Sequence, residues 1–456
     1  MNTVWFYRIT AALIWPLAFW HCWTARGLYL DGSAALFSMM KNGGYALFYE
    51  ERLTLMAVTQ APAAAAIHLG ITDSQILARL LSAGLFFVPT AFYHAALFRA
   101  RHDPALLAAV VCALGVVFLP TSFFIIGEHN SVHAALLFAA LVLATAARPT
   151  IGDGILLLVP AAFLIRSYET MSCFGPLLAA FTVWRMRFGR WDSLASALHG
   201  LVAAFFLTSA TFALHALLDP LNPAPLGNAL LNAGSFWQNL QFILPFGALL
   251  ILVATALLAP RLLETSRLFW LTAIPLALLA ASPLLWLADT VPHPLARSHY
   301  NSRTMAGFVV AALIVALWLY ASRPSWAPRA IGLLAKPQIA NRWLVWQLAA
   351  LFAAVPADLL LTEVWRNSLI VFQSTIAGHA GPIAIEETAF VRFPYSEMIE
   401  AWALPSESVV LRRSRSDGII LQPRGFTDWQ PFDPTKPLPP NLLKFVWGNG
   451  TSSVSP

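Results

Sequence analysis

Charge is scarce in this chain. Only 11% of its 456 residues are Asp, Glu, Lys or Arg, where a soluble globular domain carries about 25%. With 58% hydrophobic residues and mean hydropathy +0.67, the shortfall is too large to hide in one soluble core. It calls for many segments apolar around their whole perimeter, as in a polytopic helical membrane protein. Recurrent strands of alternating polarity are lacking, which argues against an outer-membrane barrel. Cysteine is scarce too. Cys22, Cys112 and Cys173 are scattered through apolar runs without CxxC spacing, so they read as small buried hydrophobes and not as a disulfide framework or metal site. Neither an internal repeat nor inverted symmetry of the transporter kind is visible.

The net charge of +6 is spread over short loops between apolar runs. It reads as topology-setting charge, and no nucleic-acid partner is expected. Apolar runs long enough to span fall at 4–24, 74–98, 105–125, 130–147, 151–166, 169–186, 193–217, 237–258, 268–288, 304–321 and 343–362. The expected fold is therefore all-α, with about eleven transmembrane helices. The runs at 151–166 and 169–186 read as a tight helical hairpin. The stretch 53–69 holds Gln60 and Pro62 and reads as an interfacial or re-entrant helix. No small-x-small cleavage site follows the first run, so it is expected to remain as a span.

Alternating the loops from a cytoplasmic N-terminus puts twelve Arg and Lys residues on the cytoplasmic side and six on the other. That bias supports the orientation. It also makes residues 25–73 one long external loop on a transmembrane domain of residues 1–362. Residues 363–456 are richer in Glu, Arg, Ser and Pro, with strand-like SVVLRR and GIILQP. They read as a small external α/β cap.

Sorted by side, the cytoplasmic ionisable residues are nearly all single arginines. The external ones form mixed clusters: Asp31; Glu50, Glu51 and Arg52; Gly127-Glu128-His129-Asn130; Arg166-Ser167-Tyr168-Glu169; and HPLARSHYNSR, which holds Arg297, His299 and Arg303. Five polar segments meeting at one mouth have the makings of a site, because ionisable groups at a membrane border are costly unless they work. Helix capping and headgroup contact are the plain alternative, and Arg166 with Glu169 could be a structural pair. The suitable chemistry is a carboxylate base acting on a hydroxyl, with Arg and His holding a phosphate. Glu, His and Asn could also take a divalent cation, although GEHN is not a recognised metal spacing.

The order of the first loop is an apolar span, then LYLDGSAALFSMMKNG, YEERLTLMAVTQAPAAAAIHLG and ITDSQILARLLSAGLFFVP. This resembles the first loop of the GT-C superfamily of membrane glycosyltransferases, which includes protein O-mannosyltransferases and lipid A aminoarabinose transferases. Asp31 takes the place of that family's acid, which is often Asp-Glu; here Gly32 follows. Lys41-Asn42-Gly43 takes the place of a helix end, Gln60-Ala61-Pro62 that of a proline motif with one proline, and Arg79-Leu80 that of the opening of the second span. The motifs cover roughly residues 1–100. The resemblance implies an inverting transfer of a sugar from a polyprenyl-phosphate carrier to a hydroxyl on a glycan, lipid or protein. Asp31 would be the general base and Glu128 a second acid. Arg166, Arg297, His299 and Arg303 are candidates for the carrier phosphate, chosen from side and charge; His129, Asn130, Tyr168, Glu169 and Arg52 are further site candidates. The expected location is a bacterial inner membrane, with the C-terminus periplasmic. A flippase for a lipid-linked saccharide and a non-catalytic assembly protein are the competing readings. Mid-span runs such as LAAVVCALGVVFL are bare of the polar residues a flippase path needs.

Overall fold

The computed structural model describes residues 2–29, 31–122, 128–190, 193–218, 299–323, 336–392, 394–399, 401–423 and 436–448, with positions 247, 250, 251, 254, 332, 432 and 433. The expected spans at 237–258 and 268–288 therefore lie, almost wholly, outside the described residues.

The protein is mostly helical. α1 (Thr3–Trp23) is capped by Asn2, whose side chain accepts from the Val4 amide at 3.1 Å. The chain turns through Ala25, at φ 51°, into a 3-10 turn over Arg26–Leu28. α2 (Asp31–Asn42) stops at Gly43, whose φ of 74° is the left-handed conformation that ends helices cheaply. α3 (Leu53–His68) contains Pro62. α4 (Ser74–Ala100) starts at Asp73, whose side chain accepts from the Gln75 and Ile76 amides. The next apolar run is one broken helix. α5 (Pro104–Cys112) passes into a π-helical stretch, Ala113–Phe118, and then α6 (Leu119–Ser122). α7 (Glu128–Thr145), α8 (Ile151–Phe163), α9 (Met171–Met186), α10 (Leu194–Leu218) and α11 (His299–Ser322) follow. α12 (Pro337–Ile376) has 40 residues, or about 60 Å at the helical rise.

Three of these helices are long and apolar enough to cross a membrane: α4, α10 and α12. The described α5, α7, α8 and the apolar part of α11 are shorter apolar helices. α10 carries outward leucines at 194, 201, 207, 214 and 218, each at least 43% exposed, so its outer face is apolar.

α7 lies at the centre. Ala134, Ala135, Leu136, Leu137 and Ala139 through Leu143 are 0% exposed, because α4, α8, α9 and α11 pack around it. The π-helical stretch sits where α12 crosses, with Gly115 facing the Leu351 backbone. The hairpin expected of 151–166 and 169–186 is not the packing found. α8 and α9 each lie against α10 and hardly touch each other. Proximity in sequence suggested a pair, but the two helices meet through α10.

A second core joins the first loop to the C-terminal segment. It contains Leu36, Phe37 and Met40 of α2, Leu77 and Leu81 of α4, Trp365, Leu369 and Phe372 of α12, and Val409, Val410, Leu442 and Phe445. α12 runs unbroken past residue 362, where the composition changes, and carries this cap. Within the cap, β1 (Pro382–Ile383) pairs in parallel with β2 (Ile419–Ile420), so GIILQP does supply a strand. SVVLRR does not. Its first four residues end α13 (Leu404–Leu411), which has Pro405 in its first turn and packs on α2, α4 and α12. Burial against helices outweighs the strand preference of two valines.

Candidate functional site

Cross-contacts assign each helix end to one of two ends of the bundle. Arg99, Asp103, Thr145, Asp153, Arg185 and Tyr320 meet at one end. The other end, the mouth, holds the start of α4, the end of α8, the starts of α7, α9 and α11, the first loop and the cap. Among the described residues, Arg99 and Arg185 thus lie at one end and Arg52 and Arg166 at the other.

Asp31 is exposed at the first residue of α2. Its carboxylate makes no hydrogen bond or ion pair among the described residues. The turn that presents it is tight. The Gly27 amide bonds to the Ser82 hydroxyl at 2.9 Å, and the Gly32 amide bonds to the Tyr29 carbonyl at 3.2 Å. A methyl on Gly32 would overlap the Gly27 carbonyl, so the glycine after Asp31 is sterically required. Next along the loop, Gln60 is 4% exposed and clamps the Ala46 backbone, accepting from its amide and donating to its carbonyl, both at 2.9 Å.

Under the turn lies a buried charged network that the polar clusters did not suggest. Arg26 is 0% exposed and Asp358 3%. Arg26 Nη1 donates to Asp358 Oδ1 at 2.8 Å and to Thr362 Oγ1 at 3.1 Å. His21 Nε2 lies 2.7 Å from Asp358 Oδ2 and 2.6 Å from Arg26 Nη1, and one ring nitrogen can serve only one of them. Nδ1 has no partner, so a proton on Nε2, donated to Asp358, fits best. Arg26 is one of the six basic residues counted on the external side, and it is buried. It ties the end of α1 to α12. His21 and Asp358 were legible as ionisable residues inside apolar runs, which is itself a signal.

A second cluster gathers at the mouth. Arg52 donates from Nε to Glu169 Oε1 at 3.1 Å and from a terminal nitrogen to the same oxygen. Its guanidinium lies between the rings of Tyr49, 4.8 Å away, and Tyr168, 4.9 Å away. The amides of Thr54 and Leu55, at the start of α3, bond to the Arg166 carbonyl. The Tyr168 ring lies 6.4 Å from that of His129, and His133, one turn deeper on α7, is 5.6 Å from His129. Both histidines are 1% exposed. Neither ring nitrogen of His133 has a hydrogen-bond partner among the described residues, and this residue too was absent from the expected set.

The fold thus brings Arg52, Tyr168, Glu169 and His129 together. Glu169 pairs with Arg52 across 117 positions and not with its near neighbour Arg166, which stacks on Phe212 at 4.4 Å. Asn130 turns to Thr121 instead, at 3.4 Å. Among the described residues Asp31 makes no hydrogen bond or ion pair with the cluster. Glu128 opens α7, and His299 and Arg303 lie in the first turns of α11. Both helices start at the mouth, but those three side chains, like all of Arg297, lie outside the described residues. Among the described residues no three His, Cys, Asp or Glu side chains form a set of metal ligands; of GEHN, Gly127 and the Glu128 side chain lie outside them. Compared with known proteins, the chain matches no family model, no curated protein and no solved structure.

Proposed function

We propose that this protein is an integral membrane glycosyltransferase that moves a sugar from a polyprenyl-phosphate carrier to an acceptor hydroxyl at the mouth of the bundle. The observation that carries the reading is Asp31. It is an exposed carboxylate with no hydrogen-bond or ion-pair partner among the described residues, on the first residue of a helix that follows the first apolar helix. An acid so placed is open to an acceptor from the aqueous side and to a donor held in lipid. Its turn is built on close glycine contacts and a buried ionic network, so the group is held in one position.

In the proposed reaction Asp31 takes the proton of the acceptor hydroxyl. The oxygen attacks the anomeric carbon as the bond to the carrier phosphate breaks, and the polyprenyl phosphate leaves with the electron pair. The anomeric centre inverts. His299 and Arg303, at the start of α11, and Arg166 are the cations at that end suited to the leaving phosphate. Arg52 is spent on Glu169 and braces the rim. The membrane is a bacterial inner membrane in this reading, with the mouth facing the periplasm.

Replacement of Asp31 by Asn, at matched membrane expression, tests it through transfer of labelled sugar from a polyprenyl-phosphate pool to surface glycans or lipids. A second reading, movement of a lipid-linked saccharide across the membrane, is favoured by one observation: His133 is an unpartnered buried polar group inside the bundle below the mouth. That reading predicts that His133→Phe stops transport of the saccharide while Asp31→Asn does not.

A further inference from the structure

The end of the bundle opposite the mouth holds an open cavity of about 430 Å³. α4, α5, α7, α9 and α11 each have an end there. Its lining includes Arg99, His102, Asp103, Arg185, Tyr320 and Arg323, so three guanidiniums face one carboxylate.

Two of the guanidiniums are fixed. Arg185 is 6% exposed and donates from Nε to the Leu143 carbonyl at 2.7 Å and from Nη2 to the Ala144 carbonyl at 3.0 Å, in the last turn of α7. Arg99 donates from Nε to Thr145 Oγ1 at 2.6 Å and from Nη2 to Asp153 Oδ1 at 2.7 Å. Each keeps its Nη1 unspent among the described residues. The carboxylate of the lining is already occupied. Asp103 Oδ1 accepts from the Ala105 and Leu106 amides, and Oδ2 accepts from the Tyr320 hydroxyl at 2.9 Å. Arg323 completes the rim over the Tyr320 ring, 5.5 Å from its centroid.

Two oriented arginines with donors to spare, in a cavity whose one acid among the described residues is engaged, suit the oxygens of a phosphate, which planar guanidinium forks bind well. The volume is within the range of small-ligand sites and exceeds that of a bare phosphate. We propose that this cavity binds a phosphate ester with a small polar head. Such a group has two sources: the headgroup of an anionic phospholipid in the leaflet at that end, or a soluble phosphorylated compound. The site uses no residue of the mouth, so it stands or falls separately from the glycosyltransferase reading.

The test uses the full-length protein in detergent, with phosphatidylglycerol, phosphatidylcholine, glycerol phosphate and inorganic phosphate as probes. Bound lipid is counted by native mass spectrometry, and every probe is titrated against thermal unfolding. Two variants are compared with the wild type. Arg323→Gln removes an exposed rim charge, and Ala321→Trp fills the cavity while keeping every charge. Retention of phosphatidylglycerol over phosphatidylcholine, weakened about tenfold or more by both variants, assigns the headgroup. Binding of glycerol phosphate or inorganic phosphate with that same sensitivity, and no preference for phosphatidylglycerol, assigns the soluble source. Binding unchanged in both variants, or no binding of any probe, overturns the proposal.

Discussion

Gly32 packs directly against the carbonyl of Gly27, so that a side chain at position 32 would overlap the Gly27 oxygen. The two glycines close the turn between the end of α1 and the start of α2 and thereby aim Asp31 outward. Gly32→Ala forces that turn open. It is expected to lower stability by about 1–3 kcal/mol, as overpacking does, and to remove transfer activity with Asp31 itself intact. Gly43 is the control. Its φ of 74° is left-handed with no neighbour within 4 Å of the Cβ position, so Gly43→Asn is tolerated in the same thermal unfolding assay.

The ionic network under the turn makes a second prediction. Asp358→Ala removes the buried carboxylate that both Arg26 and His21 face. Loss of one partner of a buried pair costs about 3–5 kcal/mol. Thermal unfolding in detergent should show a large drop for Asp358→Ala. Because the network joins the end of α1 to α12, hydrogen exchange over residues 25–42 should quicken under native conditions.

Arg52 and Glu169 are 14% and 25% exposed in their side chains. Their coupling should therefore exceed that of a surface pair. A double-mutant cycle of Arg52→Gln and Glu169→Gln is expected to give an interaction energy of about 1–2 kcal/mol. A parallel cycle of Arg166→Gln and Glu169→Gln should give close to none, since Arg166 stacks on Phe212.

How much of this was legible in the sequence differs from residue to residue. The end of α2 at Gly43 and the helix over 53–69 followed from local chemistry, because a glycine stop and an apolar run act within a few residues. The meeting of Arg52 with Tyr168 and Glu169 at one end agrees with the alternation of spans. Partners were not legible. Glu169 has an arginine three residues away and pairs with one 117 residues away, a choice made by where α3 starts against the α8–α9 turn. Arg26 looked like any loop charge, because its burial depends on α12, more than 330 positions along. The valines of SVVLRR announced a strand, and packing against α2 and α12 made them a helix.

Glu407 is 3% exposed in the cap and has no ionic partner among the described residues. Burial pushes its carboxyl up from the ordinary 4.5 to about 8. The folded cap therefore holds a proton that the unfolded chain releases. Above about pH 4.5 stability falls as pH rises, by at most about 1.4 kcal/mol per unit, and this loss levels off beyond about pH 8. Glu407→Gln keeps the shape without the proton. It should flatten the dependence between those pH values and raise the unfolding temperature at pH 8, measured by scanning fluorimetry across pH.

The central claim is that Asp31 takes a proton from an acceptor. Its most direct measurement is sugar transfer from labelled polyprenyl phosphate by Asp31→Asn protein, matched to wild type for membrane insertion and unfolding temperature. Asn keeps the size and much of the hydrogen bonding but cannot accept the proton. The account predicts a loss of transfer of at least about a hundredfold with the fold unchanged. Transfer at the wild-type rate would contradict it and remove Asp31 from the chemistry.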